Sequence, residues 1–232
     1  MGPLARAADA GPFDVVLCDP PWHYDDKGSA GARGATYQYP VMAEHFLCGL
    51  DVPAICAPNA ACFMWTTGPQ LPTALGLLDA WGFSYVTMAF LWRKIYASGR
   101  PVTGMGHHTR SCYEYVVLGR RGRGLARVDA GIHQEVEEDA PACVECPTGA
   151  HSAKPREVAR RIQRLYGPQR RVELFSREVV DGWHGIGLDY PGDGRDIRAV
   201  LGMRAAQDCK VLAPGHGFNS ERSKQRENGG RP

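Results

Sequence analysis

The chain has 232 residues, of which 44% are hydrophobic and 22% are charged, and its formal net charge is +2. This composition is typical of one soluble globular domain with a sizeable core, and so small a net charge is no argument by itself for binding nucleic acid. No apolar run approaches the length of a membrane span, which excludes a membrane protein, and eight cysteines without a secretory signal favour a reducing, cytoplasmic setting, or a nuclear one in a eukaryote.

The first predicted strand, residues 13–17, ends at the tetrapeptide Asp19-Pro20-Pro21-Trp22. Its β-branched, apolar composition predicts a buried parallel strand. Two consecutive prolines cannot continue a sheet ladder, because each lacks an N–H group and has a fixed φ. We therefore expect a carboxylate, a free proline carbonyl and an indole to project beyond the carboxyl edge of the sheet, where ligands bind in open α/β folds.

A carboxylate beside a backbone carbonyl suits the methylation of an amino group that is conjugated to a ring. The 6-amino group of adenine is such a group, and its delocalised lone pair makes it a poor nucleophile. If Asp19 and the Pro20 carbonyl each accept one N–H bond, they favour a tetrahedral nitrogen and orient its lone pair toward an electrophilic methyl group. The indole of Trp22 can stack on a base taken out of its helix. The alternative is an ordinary turn in which Asp19 is a cap.

A glycine-rich loop, residues 23–39, follows the tetrapeptide. Its length beside a ligand-binding edge favours a mobile active-site loop. Tyr37 and Tyr39 could line a pocket for the base, or they could simply anchor the loop.

The rest of the chain alternates between helical patterns and apolar runs typical of strands. We predict helices over residues 41–50, 69–81, 155–166 and 193–206, and strands over residues 59–67, 83–92, 111–119 and 171–175. Glu114 lies on the third of these strands. This alternation predicts an α/β fold with a mostly parallel, doubly wound sheet and helices on both faces. We expect residues 1–11 to be flexible, residues 12–206 to form one domain and residues 207–232 to be disordered.

Three polar features allow two interpretations each. The arginines of residues 120–127 form either a solvated turn or a phosphate-contacting edge. Arg156, Arg160 and Arg164 recur at four-residue spacing, which favours a solvated helix face over a binding surface. Cys143 and Cys146, with His133 and His151 nearby, have the spacing of half a zinc site, but no second pair at suitable spacing is evident, so we expect no metal.

An ordered set of short motifs resembles the MT-A70 family of adenine N6-methyltransferases, and in particular its compact bacterial and phage branch. The motifs are FDVVLCDPPW (13–22), YPVM (39–42), FMWTT (63–67), WGF (81–83), FLWRK (90–94), RSCYE (110–114), HSAKP (151–155), ELFSR (173–177) and GWHGIG (182–187). Each motif alone is weak, whereas the ordered set is highly specific. The resemblance implies a Rossmann-like S-adenosyl-L-methionine (SAM) methyltransferase fold with a permuted motif order, in which the catalytic strand precedes the cofactor-binding strand. That order would explain why no glycine-rich G-x-G-x-x-G turn accompanies the first strand.

The resemblance also implies roles for individual residues. Asp19 and the Pro20 carbonyl would hold the target amine, Trp22 and Tyr39 would flank the flipped adenine, and Lys154 would meet the methionine carboxylate of SAM. The full set is Asp19, Pro20, Pro21 and Trp22 for catalysis, Asp19, Lys154, Arg177 and Asp189 for the cofactor, and Trp22, Tyr37, Tyr39, Lys94 and Glu114 for the substrate. The family often has polar pairs where this chain has Glu178-Val179 and Leu188-Asp189, which leaves the ribose contacts of SAM unassigned, although Asp189 could still reach a ribose hydroxyl. The adenine pocket of SAM is usually set before the catalytic strand, within residues that we expect to be flexible here, and it is not assigned either.

The sequence therefore predicts a SAM-dependent adenine N6-methyltransferase that acts on DNA by direct transfer to a flipped adenine. RNA is the alternative substrate. A non-catalytic, nucleic-acid-binding subunit is a second hypothesis, although such members typically lose the catalytic tetrapeptide, which is intact here. Glutamine methylation is a third, but that class normally has Asn and Tyr in place of Asp19 and Trp22. A homodimer or a partner subunit would be compatible with all of these.

Overall fold

The computed structural model describes residues 11–22, 42–96, 98–104, 108–139 and 153–204. These residues form a series of strands and helices that alternate along most of the chain. In order they are β1 (Phe13–Cys18), α1 (Glu44–Gly49), β2 (Cys56–Thr66), α2 (Leu71–Ala80), β3 (Ser84–Ile95), β4 (Tyr113–Arg121), β5 (Glu135–Asp139), α3 (Arg156–Tyr166), β6 (Arg171–Leu174), β7 (His184–Ile186) and α4 (Ile197–Leu201). A 3₁₀ turn, Val52–Ile55, leads into β2.

The strands form one seven-stranded sheet in the order β5-β3-β4-β2-β1-β6-β7. β1 pairs in parallel with β2 and β6, β6 with β7 and β3 with β5, whereas β4 is antiparallel to both β2 and β3. All strands but β4 therefore point the same way. β4 is reversed because the described part of residues 96–112 holds no helix that could carry the chain back across the sheet, so β3 and β4 form a hairpin. The predicted α/β class with a mostly parallel sheet is confirmed.

Both faces of the sheet are covered by apolar packing. Alternation along β1 directs Val16 to one face and Val15 to the other, and both side chains are fully buried. The first face packs against α1, α2 and α4, and the second packs against α3 through Ile162 and its neighbours. Each fully buried aliphatic side chain contributes roughly 1.5–3 kcal/mol. The strands therefore give a rigid base for the polar side chains at their ends, and helices on both faces are confirmed.

Strand direction decides which side chains share an edge of the sheet. The carboxyl ends of β1, β2, β3, β6 and β7 lie at one edge, together with the amino end of β4. Asp19, Lys94 and Glu114 are therefore neighbours there. The arginine-rich turn after β4 lies at the opposite edge, where Arg121 Nη1 donates to the Pro53 carbonyl at 2.9 Å.

The structure differs from the predicted elements at three places. Residues 135–139 form β5 and residues 184–186 form β7, and the sequence patterns predicted neither strand. Both are short strands at the two ends of the sheet, so pairing with a neighbour rather than a local pattern creates them. The predicted helix over 193–206 is reduced to α4, because Gly202, at φ 78°, ends it.

Several expectations fall on parts of the chain that are not described. Residues 1–10 and 205–232, which hold almost all of the expected flexible ends, lie outside the described residues, as does the loop over 23–39. Among the described helices, none has the length and the apolar character that crossing a membrane requires.

Candidate active site

A cavity of about 530 Å³ opens at the carboxyl edge of the sheet. Its volume is within the roughly 300–1,000 Å³ that is usual for small-molecule and cofactor sites. The lining comes from the segments that follow β1, β2, β6 and β7, from the start of β4, from the segments before α1 and α3, and from the first residues of α1 and α4. The lining residues are Asp19, Pro20, Pro21, Trp22, Met42, Ala43, Phe46, Thr66, Thr67, Glu114, Lys154, Phe175, Arg177, Gly187, Leu188, Asp189, Asp196, Ile197 and Arg198.

Four charged residues form a continuous series of ion pairs at this edge, which we call the charge chain: Asp19, Lys154, Glu114 and Lys94. Lys154 Nζ lies 2.8 Å from Asp19 Oδ2 and 3.3 Å from Glu114 Oε2. The other carboxylate oxygen of Glu114, Oε1, accepts a hydrogen bond from Lys94 Nζ at 2.5 Å. The strand ends bring these residues together although they are far apart in sequence.

The charge chain keeps its two central members ionised. Burial alone would raise the pKa of Glu114, but the ammonium groups of Lys154 and Lys94 outweigh it, so the pKa lies below its ordinary value. Burial opposes the charge of Lys154 in the same way, yet Asp19 and Glu114 raise the pKa of Lys154 above its ordinary value. The side chains of Glu114 and Lys154 are only 14% and 16% exposed, so salt screens them weakly.

The tetrapeptide after β1 differs from expectation in two respects. The Pro20 carbonyl is not free, because it accepts the Trp22 backbone N–H at 2.8 Å in a tight turn. It retains a second lone pair for a ligand. The Trp22 indole does not project from the edge, since it is 5% exposed and its Nε1 donates to the Trp65 carbonyl at 3.3 Å. An aromatic side chain of this size gains more by packing into the core, and Trp22 therefore reaches the cavity only as part of its wall.

The segments after β6 and β7 approach each other closely beside the cavity. Phe175 has a φ of 61°, which costs a residue other than glycine about 1–3 kcal/mol. A Cβ atom on Gly187 would lie 2.1 Å from the Ser176 carbonyl oxygen, so the backbone contact requires glycine. This contact holds the two segments so that Arg177 and Asp189, which are both exposed, line the same cavity.

Most of the predicted site residues that are described lie on the cavity wall. These are Asp19, Pro20, Pro21, Trp22, Glu114, Lys154, Arg177 and Asp189. Among the described residues Lys94 is the exception, because it bonds to Glu114 from outside the wall. Tyr37, Tyr39, Cys143 and Cys146 lie outside the described residues, and within the described part of the chain no cluster of His, Cys, Asp or Glu could hold a metal.

Sequence reasoning missed the contribution of α1 and α4. Phe46 lines the cavity and is 41% exposed, and it belongs to the helix predicted over residues 41–50. Its exposure inside a predicted helix could not have been read from periodicity alone. Ile197 and Arg198 belong to α4, which lies within the predicted helix over residues 193–206, but nothing in its sequence pattern indicated that it borders the site.

A family model described as MT-A70 matches residues 13–189, well over half of the chain. The chain belongs to the MT-A70 family. The family prediction made from the sequence motifs is confirmed, and with it the prediction of a methyltransferase. Membership of the MT-A70 family implies a methyl donor and a nucleic-acid substrate.

Individual members of the MT-A70 family agree with this assignment. The chain is 31% identical over 202 residues to the type II methyltransferase M.MunI of Mycoplasma sp, covering 80% of this chain and 81% of that protein. It is 28% identical over 196 residues to the N6-methyladenosine RNA methyltransferase MTA1 of Cryphonectria parasitica, covering 78% and 52%. It is 26% identical over 186 residues to the N(6)-adenosine-methyltransferase catalytic subunit METTL3 of Homo sapiens, covering 78% and 29%. The chain thus spans about half or less of these two eukaryotic relatives.

Proposed function

We propose that this protein is a SAM-dependent methyltransferase that methylates the N6 amino group of a flipped adenine in DNA. The main support for this proposal is the position of Asp19. Its carboxylate lies on the cavity wall, just beyond the end of β1, and bonds to the buried ammonium group of Lys154 at 2.8 Å.

The arrangement suits an amine that must become a better nucleophile. Asp19 has carboxylate lone pairs that can accept one N–H of the amino group, and the Pro20 carbonyl has one lone pair left to accept the other. These two acceptors orient the nitrogen lone pair toward the methyl donor and stabilise the positive charge that develops on the nitrogen. One proton must leave the methylated nitrogen, and Asp19 is placed to accept it. No covalent enzyme intermediate is required.

The residues of the cavity fit SAM. When bound, SAM would supply an electrophilic methyl group on a sulfonium. Lys154 is suited to its methionine carboxylate, because an ammonium group held in a weakly screened site binds anions well. Arg177 and Asp189 would hold further polar groups of the cofactor, and the apolar surfaces of Phe46 and Ile197 provide contact area for a ring.

Two observations favour a nucleic-acid polymer at the rim of the cavity. β3 ends and β4 begins at the same edge of the sheet. Two aromatic side chains are exposed there, Tyr96 at 41% and Tyr113 at 36%. Exposed Arg100 and Arg110 accompany them. Aromatic faces that stack on bases and cations that contact phosphates are the usual surface for nucleic acid.

The choice of DNA follows from the resemblance to the compact bacterial branch of the family, and sequence identity supports it. The chain is 31% identical to the type II methyltransferase of Mycoplasma sp, and it is less similar, at 28% and 26%, to two eukaryotic relatives, one of which is named as an RNA methyltransferase.

The test is methyl transfer from labelled SAM to matched DNA and RNA of the same sequences, each single- and double-stranded. We expect incorporation in DNA, with RNA labelled at a much lower rate. Preferential labelling of RNA would show that RNA, rather than DNA, is the substrate. Measurable SAM binding without transfer to any of the four pools would favour the non-catalytic subunit.

A further inference from the structure

Lys94 carries a charge that the proposed reaction leaves without a role. It lies at the end of β3, and its ammonium group bonds to Glu114 Oε1 at 2.5 Å. Its Nζ also lies 5.0 Å from the centre of the Trp92 ring, which is only 3% exposed. The head group of Lys94 is therefore held between a buried ring and a largely buried carboxylate, rather than extended toward a ligand.

We propose that Lys94 is a positioning residue, which binds Glu114 and thereby keeps Lys154 directed at Asp19 and the cavity. On this account Lys94 does not contact nucleic acid, which differs from the substrate-binding role that its sequence position suggests. The inference rests on the proposed function, because it assigns Lys154 to the methionine carboxylate of SAM.

Two carboxylates, those of Asp19 and Glu114, compete for the ammonium group of Lys154. Lys154 Nζ lies 2.8 Å from Asp19 and 3.3 Å from Glu114. In a site that largely excludes water, each carboxylate attracts it strongly and at similar range. Lys94 binds the remaining oxygen of Glu114 and offsets part of its charge. This weakens the attraction of Glu114 for Lys154 and agrees with the shorter bond from Lys154 to Asp19.

The charge balance supports the same role. With Lys94, the charge chain contains two carboxylates and two ammonium groups and is neutral. Without Lys94 it carries one net negative charge beside the cavity. That charge would draw Lys154 toward Glu114 and would oppose a ligand that brings its own carboxylate.

Removing Lys94 would also change the titration of Glu114. The charged groups that face Glu114 are Lys94 from β3, Lys154 from the segment before α3 and, beyond Lys154, Asp19 from the segment after β1. The neighbouring Arg93 is directed toward Glu135, with its Nε 3.9 Å from Oε1. With one of its two lysines gone, burial would raise the pKa of Glu114, and protonation would begin at a higher pH.

The test compares Lys94→Met with Lys94→Arg, which keeps the charge, and with Arg120→Ser, which alters an exposed residue at the opposite edge of the sheet. SAM affinity is measured by calorimetry without nucleic acid. The KM for DNA and its salt dependence are measured separately, and the rate is followed from pH 5 to 9. Melting temperatures establish that each variant is folded, and Lys94→Gln replaces Lys94→Met if the latter is not.

We expect Lys94→Met to weaken SAM binding roughly fivefold, the effect of losing a partly exposed ion pair, and to move the acid limb of the rate profile to higher pH. Lys94→Arg should keep most of the SAM affinity and most of the wild-type rate profile at acid pH. The KM for DNA should not change. Unchanged SAM affinity with a higher KM for DNA and a salt slope reduced by about one would show a phosphate contact instead. If none of these quantities changed, the inference would be wrong. A wild-type protein that binds no SAM would overturn the proposed function itself. This result can be told apart from the two outcomes that contradict only the role of Lys94.

Discussion

Replacing Glu173 by glutamine should make the protein more stable at alkaline pH. Glu173 lies on β6 next to the catalytic strand, and burial, with smaller contributions from Asp19 and Glu178, raises its pKa to about 7. Glu173 accepts a hydrogen bond from Ser176 Oγ at 3.1 Å, which offsets only part of this rise in pKa. The charge of Arg177 also lowers the pKa of Glu173, but burial outweighs both effects, so ionisation of Glu173 is costly in the folded state.

The magnitude follows from linkage. An ordinary glutamate has a pKa of 4.5, so the folded protein keeps this proton between about pH 4.5 and pH 7 while the unfolded chain loses it. The free energy of unfolding therefore falls as the pH rises through that window, and the loss is complete above pH 7. The total is about 3 kcal/mol, of which about 2.5 kcal/mol falls between pH 5 and pH 8.

The assay is urea unfolding of wild type, Glu173→Gln and the control Glu135→Gln at pH 5 and pH 8. The control alters a carboxylate whose side chain is 59% exposed. We expect the gap in unfolding free energy between Glu173→Gln and wild type to widen by about 2 kcal/mol at pH 8 relative to pH 5, with no such change for the control. A gap of the same size at both pH values would mean that Glu173 is ionised in the folded state throughout, and the reasoning would be refuted.

Three further substitutions test other parts of the structure. Gly187→Ala would put a Cβ atom 2.1 Å from the Ser176 carbonyl, so we expect at least about 2 kcal/mol of destabilisation by urea unfolding; unchanged stability would contradict the close contact. Phe46→Ala removes a ring that is 41% exposed on the cavity wall, so it should raise the KM for SAM or DNA with little change in melting temperature. Arg110→Ser should weaken DNA binding and lower the salt slope by about one, whereas Arg120→Ser at the opposite edge should not; equal effects would place the nucleic acid elsewhere.

The sequence predicted the fold well where local pattern and burial agree. β1 and α3 combine apolar runs or stripes with proline or glycine at their ends, and both occur close to the predicted bounds. β5 and β7 were missed because each exists only by pairing with a neighbouring strand. The reversal of β4 could not be read from its own residues, because it depends on the connection over residues 96–112 that makes a hairpin with β3.

The candidate site was predictable in composition but not in arrangement. The tetrapeptide, Glu114 and Lys154 were named from motifs, and the structure brings them to one cavity. That the Pro20 carbonyl already accepts one bond, and that the Trp22 indole is buried, depends on a turn and on core packing that motifs do not encode. The position of Lys94 behind Glu114 follows from the pairing of β3 with β4, which single-strand patterns cannot give.

The proposed mechanism requires that Asp19 hold the amino group of adenine during methyl transfer. The most direct test is a single-turnover reaction with saturating SAM, comparing wild type with Asp19→Asn, followed by digestion of the DNA to nucleosides. Asparagine keeps the shape of the side chain but loses the charge that stabilises the developing cation. We predict N6-methyladenine as the product of the wild type and a rate lower by at least about a hundredfold in Asp19→Asn. A methyl group on any other atom, or an Asn variant that keeps most of the rate, would contradict the account.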